Sequence, residues 1–174
     1  FIDWCPGLEI LTSLQGVYLY TLERFSKLLK AIDDGEHEKY SSHLYEVRCA
    51  CKTYLYNENK NAFINGFDNN QFSVHSQVWM ILGGVISGAE AKELLLSCLD
   101  NEKAKQPVTP YMRHYVTEAM LMLDMKDEAV QYLKKFWGGM LGHGADTFWE
   151  AYIPDDLDFS PYEDRMINSL CHAW

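Results

Sequence analysis

Val85-Ile86-Ser87-Gly88-Ala89-Glu90-Ala91 and Leu123-Asp124-Met125-Lys126-Asp127-Glu128-Ala129 stand 38 residues apart and follow the same plan. In each, a short turn interrupts an apolar run, and Glu-Ala then opens a new helical pattern. Leu95 and Leu133 correspond further along. A tight turn, then Glu-Ala, then Leu at helical spacing describes a helical hairpin that recurs. A single hairpin cannot bury its apolar face alone, so each one needs neighbours to pack on. The fold class expected is therefore all-α, and stacked hairpins of this kind build either a solenoid or a toroid.

Outward from this pair the pattern stays helical. Towards the N-terminus, Leu11, Leu14, Tyr18, Leu22, Phe25, Leu28, Leu29 and Ile32 recur at three and four, which predicts a helix from Glu9 to about Asp34. Asp33-Asp34-Gly35 ends it, and a second helix follows from about Glu36 to Asn57. Residues 57–70 are polar and turn-rich around a short extended segment, Ala62-Phe63-Ile64. Helices are then expected over Val74–Ile86, Ala89–Leu99, Pro110–Leu123 and Glu128–Leu141. Thr109-Pro110 reads as an N-cap with proline in the first helical position. Gly138, Gly139, Gly142 and Gly144 loosen the chain into a loop, and a Pro/Asp-rich linker covers Pro154 to Pro161. A last helix is expected over Glu163–Trp174. Phe1 is not a methionine, and both ends lie in aromatic, apolar sequence, unlike a usual domain boundary. Residues 1–174 are therefore read as one helical domain, a fragment of a larger one.

Composition narrows the function. The 174 residues are 48% hydrophobic and 14% aromatic, with five Trp and eleven Tyr, groups suited to stacking on sugar faces. The formal charge is −10 with no basic stripe, which makes nucleic acid a poor partner. No apolar run is long enough to span a bilayer. The five cysteines are odd in number and follow no disulfide or zinc spacing, so free and mostly buried thiols are expected. His75 and His114 hold similar places in the two repeats but lack converging metal ligands. Asp155, Asp156 and Asp158 lack the glycine and closing Glu of a calcium loop. No phosphate-binding glycine loop is present. No metal and no cofactor are expected.

The most specific stretch runs from Trp137 to Glu150. Its glycines let the backbone turn and approach a ligand closely. Glu150, next to Trp149, is a carboxylate among aromatics, the setting that tunes a glutamate for acid or base work. The bland alternative is a surface Glu at a helix start.

Gly144-Ala145-Asp146-Thr147-Phe148-Trp149-Glu150 resembles the loop of glycoside hydrolase family 78, the α-L-rhamnosidases, in which Gly-Ala-Thr-Thr-x-Trp-Glu ends in the catalytic base. Asp146 stands in place of the commoner Thr. Phe136-Trp137-Gly138-Gly139-Met140 resembles the family's Trp-Gly pattern before that loop. Asn168-Ser169-Leu170-Cys171-His172-Ala173-Trp174 is similar to its Ser-x-x-His-x-Trp segment, and Phe1-Ile2-Asp3-Trp4 resembles the Asp-Trp segment that follows its acid loop.

The resemblance implies a partial (α/α)6 toroid that hydrolyses terminal α-L-rhamnosides with inversion. Glu150 would be the general base, and His172 would bind the sugar near it. Trp4 would wall the sugar with Asp3 beside it, while Trp149, Trp79 and Tyr111 would line the substrate site. The family's general acid lies in an Asp-x-x-x-Glu-Arg type segment, and these 174 residues hold none. The chain alone is therefore expected to be inactive, and to self-associate through exposed hairpin faces. Two other readings stand beside this one: a toroid hydrolase or lyase for a different sugar, and a helical-repeat scaffold that binds protein.

Overall fold

The computed structural model describes residues 1–67 and 70–172. It is all-α, as the hairpin pattern predicts. Its helices are α1 (Leu11–Ala31), α2 (His37–Leu55), α3 (Val74–Leu82), α4 (Gly88–Leu99), α5 (Pro110–Met122) and α6 (Lys126–Gly142). A two-residue antiparallel pair, β1 (Tyr56–Asn57) and β2 (Ala62–Phe63), follows α2. The chain divides into two compact units, one spanning Glu9–Lys105 and the other joining Phe1–Leu8 to the chain from Gln106 onward.

In the Glu9–Lys105 unit, α1 packs on both α2 and α3. Most of its apolar stripe lies outward. Leu14, Tyr18, Phe25, Leu28 and Ile32 are exposed, and Leu29 is buried. The buried face is instead Thr12, Ser13, Gly16, Leu19, Ser26 and Leu29. The reason is steric: a Cβ on Gly16 would meet the Trp79 backbone at 2.6 Å, so the two helices approach too closely for large side chains. The polar members of this face are bonded. Thr12 Oγ1 donates to the Ile64 carbonyl at 2.5 Å, and Ser13 lies 3.5 Å from Ser76. Ser73 caps α3 by accepting from Ser76 N.

The two hairpins of the sequence repeat are α3–α4 and α5–α6. Their second helices start at Gly88 and Lys126, in the register of the repeat. Their first helices end at Leu82 and Met122, two residues out of it. The turn after α3 is longer by that amount. Ala91 and Ala129 are both buried, whereas Leu95 is buried and Leu133 is 38% exposed. His75 is buried and His114 exposed, so these two do not share a place.

Four helices stop in the same way. Asp33 (φ 58), Gly84 (φ 72), Asp124 (φ 56) and Gly144 (φ 88) each take the left-handed conformation after a helix end. The next residue then donates back to a carbonyl of the last turn, as Asp34 does to Leu29, Val85 to Met80, Met125 to Met120 and Ala145 to Met140. This closes carbonyls that a helix end leaves orphaned. Gly138, Gly139 and Gly142, expected in a loop, lie inside α6.

Two further expectations are corrected. Glu163–Trp174 forms no α-helix among its described residues, only a 3-10 turn at Arg165–Ile167. Ala173 and Trp174, the end of the Ser-x-x-His-x-Trp segment, lie outside the described residues. All five cysteines are free, but only Cys51 and Cys98 are buried, while Cys49 and Cys171 are exposed. Burial pushes the Cys98 thiol up to about 12.

Candidate active site

The site lies wholly in the unit built from Phe1–Leu8 and the chain from Gln106 onward. Its base is the end of α6. Gly144 N donates to Leu141 and Ala145 N to Met140, each at 3.0 Å, which is the double return bond of a Schellman cap. The cap turns Ala145 inward, where it packs with Phe136, Met140 and Tyr152. Each large apolar group buried there contributes about 1.5–3 kcal/mol. The Gly-Ala of the motif thus has a local cause: Gly supplies the left-handed turn and Ala the small inward contact.

From Ala145 the chain runs as a strap. Asp146, at the departure from the family pattern, is exposed. The tie is made by Thr147, whose hydroxyl donates to the Leu170 carbonyl. His172 N donates to Phe148 O at 2.8 Å, and Glu150 N donates to Ser169 O at 2.9 Å. Beyond Glu150, Tyr152 N donates to Val108 O at 2.9 Å, next to the start of α5.

Glu150 is 4% exposed. Its Oε1 accepts from the Tyr162 hydroxyl at 2.5 Å, and its Oε2 accepts from Ser169 N at 3.1 Å. His172 Nδ1 lies 3.9 Å from Oε2. A carboxylate withdrawn from water needs such donors. The cost appears on the partner: the hydrogen bond to Glu150 raises the Tyr162 phenol above its ordinary range, and burial and the nearby negative charge add to it.

A row of aromatic rings leads to this carboxylate. Tyr115 meets Tyr111 at 5.2 Å, Tyr111 meets Phe1 at 5.5 Å, Phe1 meets Trp4 at 5.0 Å, and Trp4 meets Tyr162 at 5.7 Å. Most of these contacts are edge-on, the arrangement ring quadrupoles favour. The Trp4 indole nitrogen is buried and makes no hydrogen bond among the described residues. Asp3 fixes the row to the fold. Its carboxylate accepts from Trp4 N (2.9 Å), Val108 N (2.9 Å), Thr109 N (3.2 Å) and Thr109 Oγ1 (2.7 Å).

The structure therefore brings Glu150, His172, Trp4, Asp3 and Tyr111 into one unit, with Glu150 beside His172 and at the end of the ring row. Asp3 faces backbone amides and the Thr109 hydroxyl. Trp149 is half-buried against the Phe136–Tyr152 cluster, its ring 5.8 Å from that of Tyr152. Trp79 lies in α3 of the other unit, 2% exposed and edge-on to Tyr20. Sequence reasoning missed Tyr162 and Ser169. The linker before Tyr162 reads as a solvated Pro/Asp stretch, and Ser169, the Ser of the Ser-x-x-His-x-Trp segment, acts through its backbone amide, a role the motif does not state.

The chain matches a rhamnosidase from Klebsiella oxytoca, solved with rhamnose bound, at a TM-score of 0.92 and 35% identity over 99% of its length. The chain is similar in sequence and fold to this rhamnosidase. A family 78 rhamnosidase from a Bacillus species shares the fold at a TM-score of 0.83 and 22% identity, again over 99% of this chain. The chain spans 33% of the Klebsiella protein and 19% of the Bacillus one. No protein-family model and no curated protein matches it.

Proposed function

We propose that this chain is the base-bearing part of an inverting α-L-rhamnosidase catalytic domain, all of it belonging to one larger (α/α)6 domain. The observation that carries the proposal is Glu150, a nearly buried carboxylate held at both oxygens beside His172, where an aromatic row ends.

Inversion requires a water on the sugar face opposite the leaving group. A carboxylate takes a proton from that water as its oxygen attacks the anomeric carbon. A second carboxyl group, about 6.5–9.5 Å away, protonates the departing oxygen. Glu150 performs the first task. The second falls to a residue outside these 174, which hold no acidic segment of the family's type. His172, 3.9 Å from Glu150, is placed to bind a sugar hydroxyl next to the base. Trp4 offers an apolar ring as the wall, and Asp3 serves it by holding the backbone at Trp4. The 174-residue chain by itself is inactive on this reading.

The test is hydrolysis of an aryl α-L-rhamnoside by the full-length polypeptide and by its Glu150→Gln variant, with the product anomer followed by NMR. Inverted product and a loss of about 10²–10⁴-fold in the variant are expected. Retained configuration, or a variant within threefold of the parent, would end the base assignment. Hydrolysis by the isolated 174-residue chain would end the division of the two carboxyl groups.

A further inference from the structure

We infer that Tyr162 is a positioning residue for Glu150: its hydroxyl fixes the carboxylate while its ring ties the carboxylate to the Trp4 wall. The inference rests on the base reading above and adds a residue to it.

Tyr162 bridges two parts of the site. Its hydroxyl donates to Glu150 Oε1 at 2.5 Å, and its ring stands edge-on to Trp4 at 5.7 Å and 61°. The ring is 40% exposed, so apolar burial alone gives weak reason for its placement. The loop around it is built to present it. Tyr162 N donates to Ser160 Oγ at 3.1 Å. That hydroxyl lies 2.9 Å from the Asp164 carbonyl and 2.8 Å from Asn168 Oδ1, and its single proton serves one of them at a time. Asn168 Nδ2 returns to the Phe159 carbonyl at 2.9 Å. Glu163, next in the chain, takes a left-handed φ of 61, an uncommon choice for a residue with a Cβ.

The opposite oxygen of Glu150 is held by Ser169 N, a backbone donor that no substitution of a side chain removes. Tyr162 is thus the replaceable half of the clamp. A donor on a carboxylate stabilises the charged form. Tyr162 and His172 are titratable groups that face Glu150. A base works only when unprotonated, so loss of the phenol donor raises the pH below which activity fails.

The experiment is the pH dependence of kcat/KM for the full-length polypeptide and for Tyr162→Phe, which keeps the ring and deletes the hydroxyl. The acid limb of Tyr162→Phe is expected about one pH unit higher, the effect of one hydrogen bond to a charged group after water takes the vacated position. At the optimum kcat is expected to fall about tenfold with KM within twofold. A second readout needs no substrate. The ultraviolet titration difference between parent and Tyr162→Phe isolates that one phenol. That phenol titrates above its ordinary value of 10.0 in the parent and returns towards it in Glu150→Gln.

An unmoved acid limb, or a phenol titrating normally in the parent, overturns the inference. If Glu150→Gln is inactive at the same time, the base reading survives that failure. If Glu150→Gln retains activity, both fall.

Discussion

Replacing Asp3 with Ala should loosen the start of α5 by a calculable amount. The Asp3 carboxylate receives three bonds from across the chain, those of Val108 N, Thr109 N and Thr109 Oγ1, besides the local one from Trp4 N. Thr109 Oγ1 in turn accepts from Met112 N at 3.1 Å, so Asp3 orients the hydroxyl that caps the helix. A hydrogen bond to a charged group is worth about 1.5–3 kcal/mol net, and removing its acceptor leaves the donors to find water. Three bonds on one carboxylate are not additive, and we take about 2–3 kcal/mol for the set. Every 1.4 kcal/mol is tenfold, so amide exchange at Val108 and Thr109 should accelerate about 30- to 150-fold. Hydrogen exchange read at these two amides in the full-length polypeptide measures it. Asp3→Asn should lose nearly as much, because either amide orientation turns an NH₂ towards one of the backbone donors. Exchange within threefold of the parent in Asp3→Ala would refute the reasoning.

Three other outcomes follow from the same structure. Gly138→Ala and Gly144→Ala should move stability in opposite directions, since a Cβ meets nothing within 4 Å at either site. Inside α6 the alanine gains about 0.5–1 kcal/mol, while at φ 88 it costs about 1–2 kcal/mol, and thermal melts of the two variants read the signs. Glu23 should make stability fall in acid. Burial raises its pKa, but Lys27 and Arg48, the latter at 2.5 Å, outweigh this and hold it below 4.5. The stabilisation is therefore present above the ordinary carboxylate range and is lost as pH falls through the lowered value; urea melts from pH 6 to 3 should drop more steeply in the parent than in Glu23→Gln. The isolated 174-residue chain should associate through Leu14, Phe25, Leu28 and Ile32, which are exposed on α1. Sedimentation showing a monomer at high concentration, or Leu28→Lys/Ile32→Lys associating as the parent does, would remove that proposal.

Helix positions were legible because their end signals are local. Thr109-Pro110 opens α5, with Thr109 accepting from Met112 N. The second helices of the α3–α4 and α5–α6 hairpins start where the repeat puts them, at Gly88 and Lys126. Which face of a helix is buried is not a local property. On α1 the periodic large residues point outward because Gly16, Thr12 and Ser13 permit the close approach to α3. Period identifies a stripe, and only packing decides what covers it. The failed helix at the C-terminal end shows the reverse. Residues 163–172 carry helical spacing, yet Asp164 Oδ1 takes Met166 N at 2.9 Å and Ser160 and Asn168 bond backbone and each other. Short polar side chains that bind nearby backbone offer an alternative to the helix, and here they prevail. Glu150 stands out in the sequence because the motif around it is long. Tyr162 was not, because the bond that matters spans twelve residues and depends on that same non-helical loop.

These features bear on how Glu150 is held. The strap that carries Glu150 is tied at three places by unlike interactions: the Schellman cap at Gly144, the pairing with residues 169–172, and the Tyr152 bond to Val108. Val108 is also the residue whose amide Asp3 binds, so Trp4 and the strap hang from one short stretch before α5. A change at Asp3 therefore disturbs Trp4 and Glu150 together, whereas a change at Tyr162 disturbs the Glu150 carboxylate alone. The two can be told apart by what they do to substrate. Loss of the wall weakens sugar binding, so Asp3→Ala should raise KM. Tyr162→Phe, which leaves the ring on Trp4, should act through kcat and its pH limb. If both variants changed the same kinetic constant by the same factor, the strap would be responding as a single rigid piece, and the separate duties given to Asp3 and Tyr162 would have to be merged.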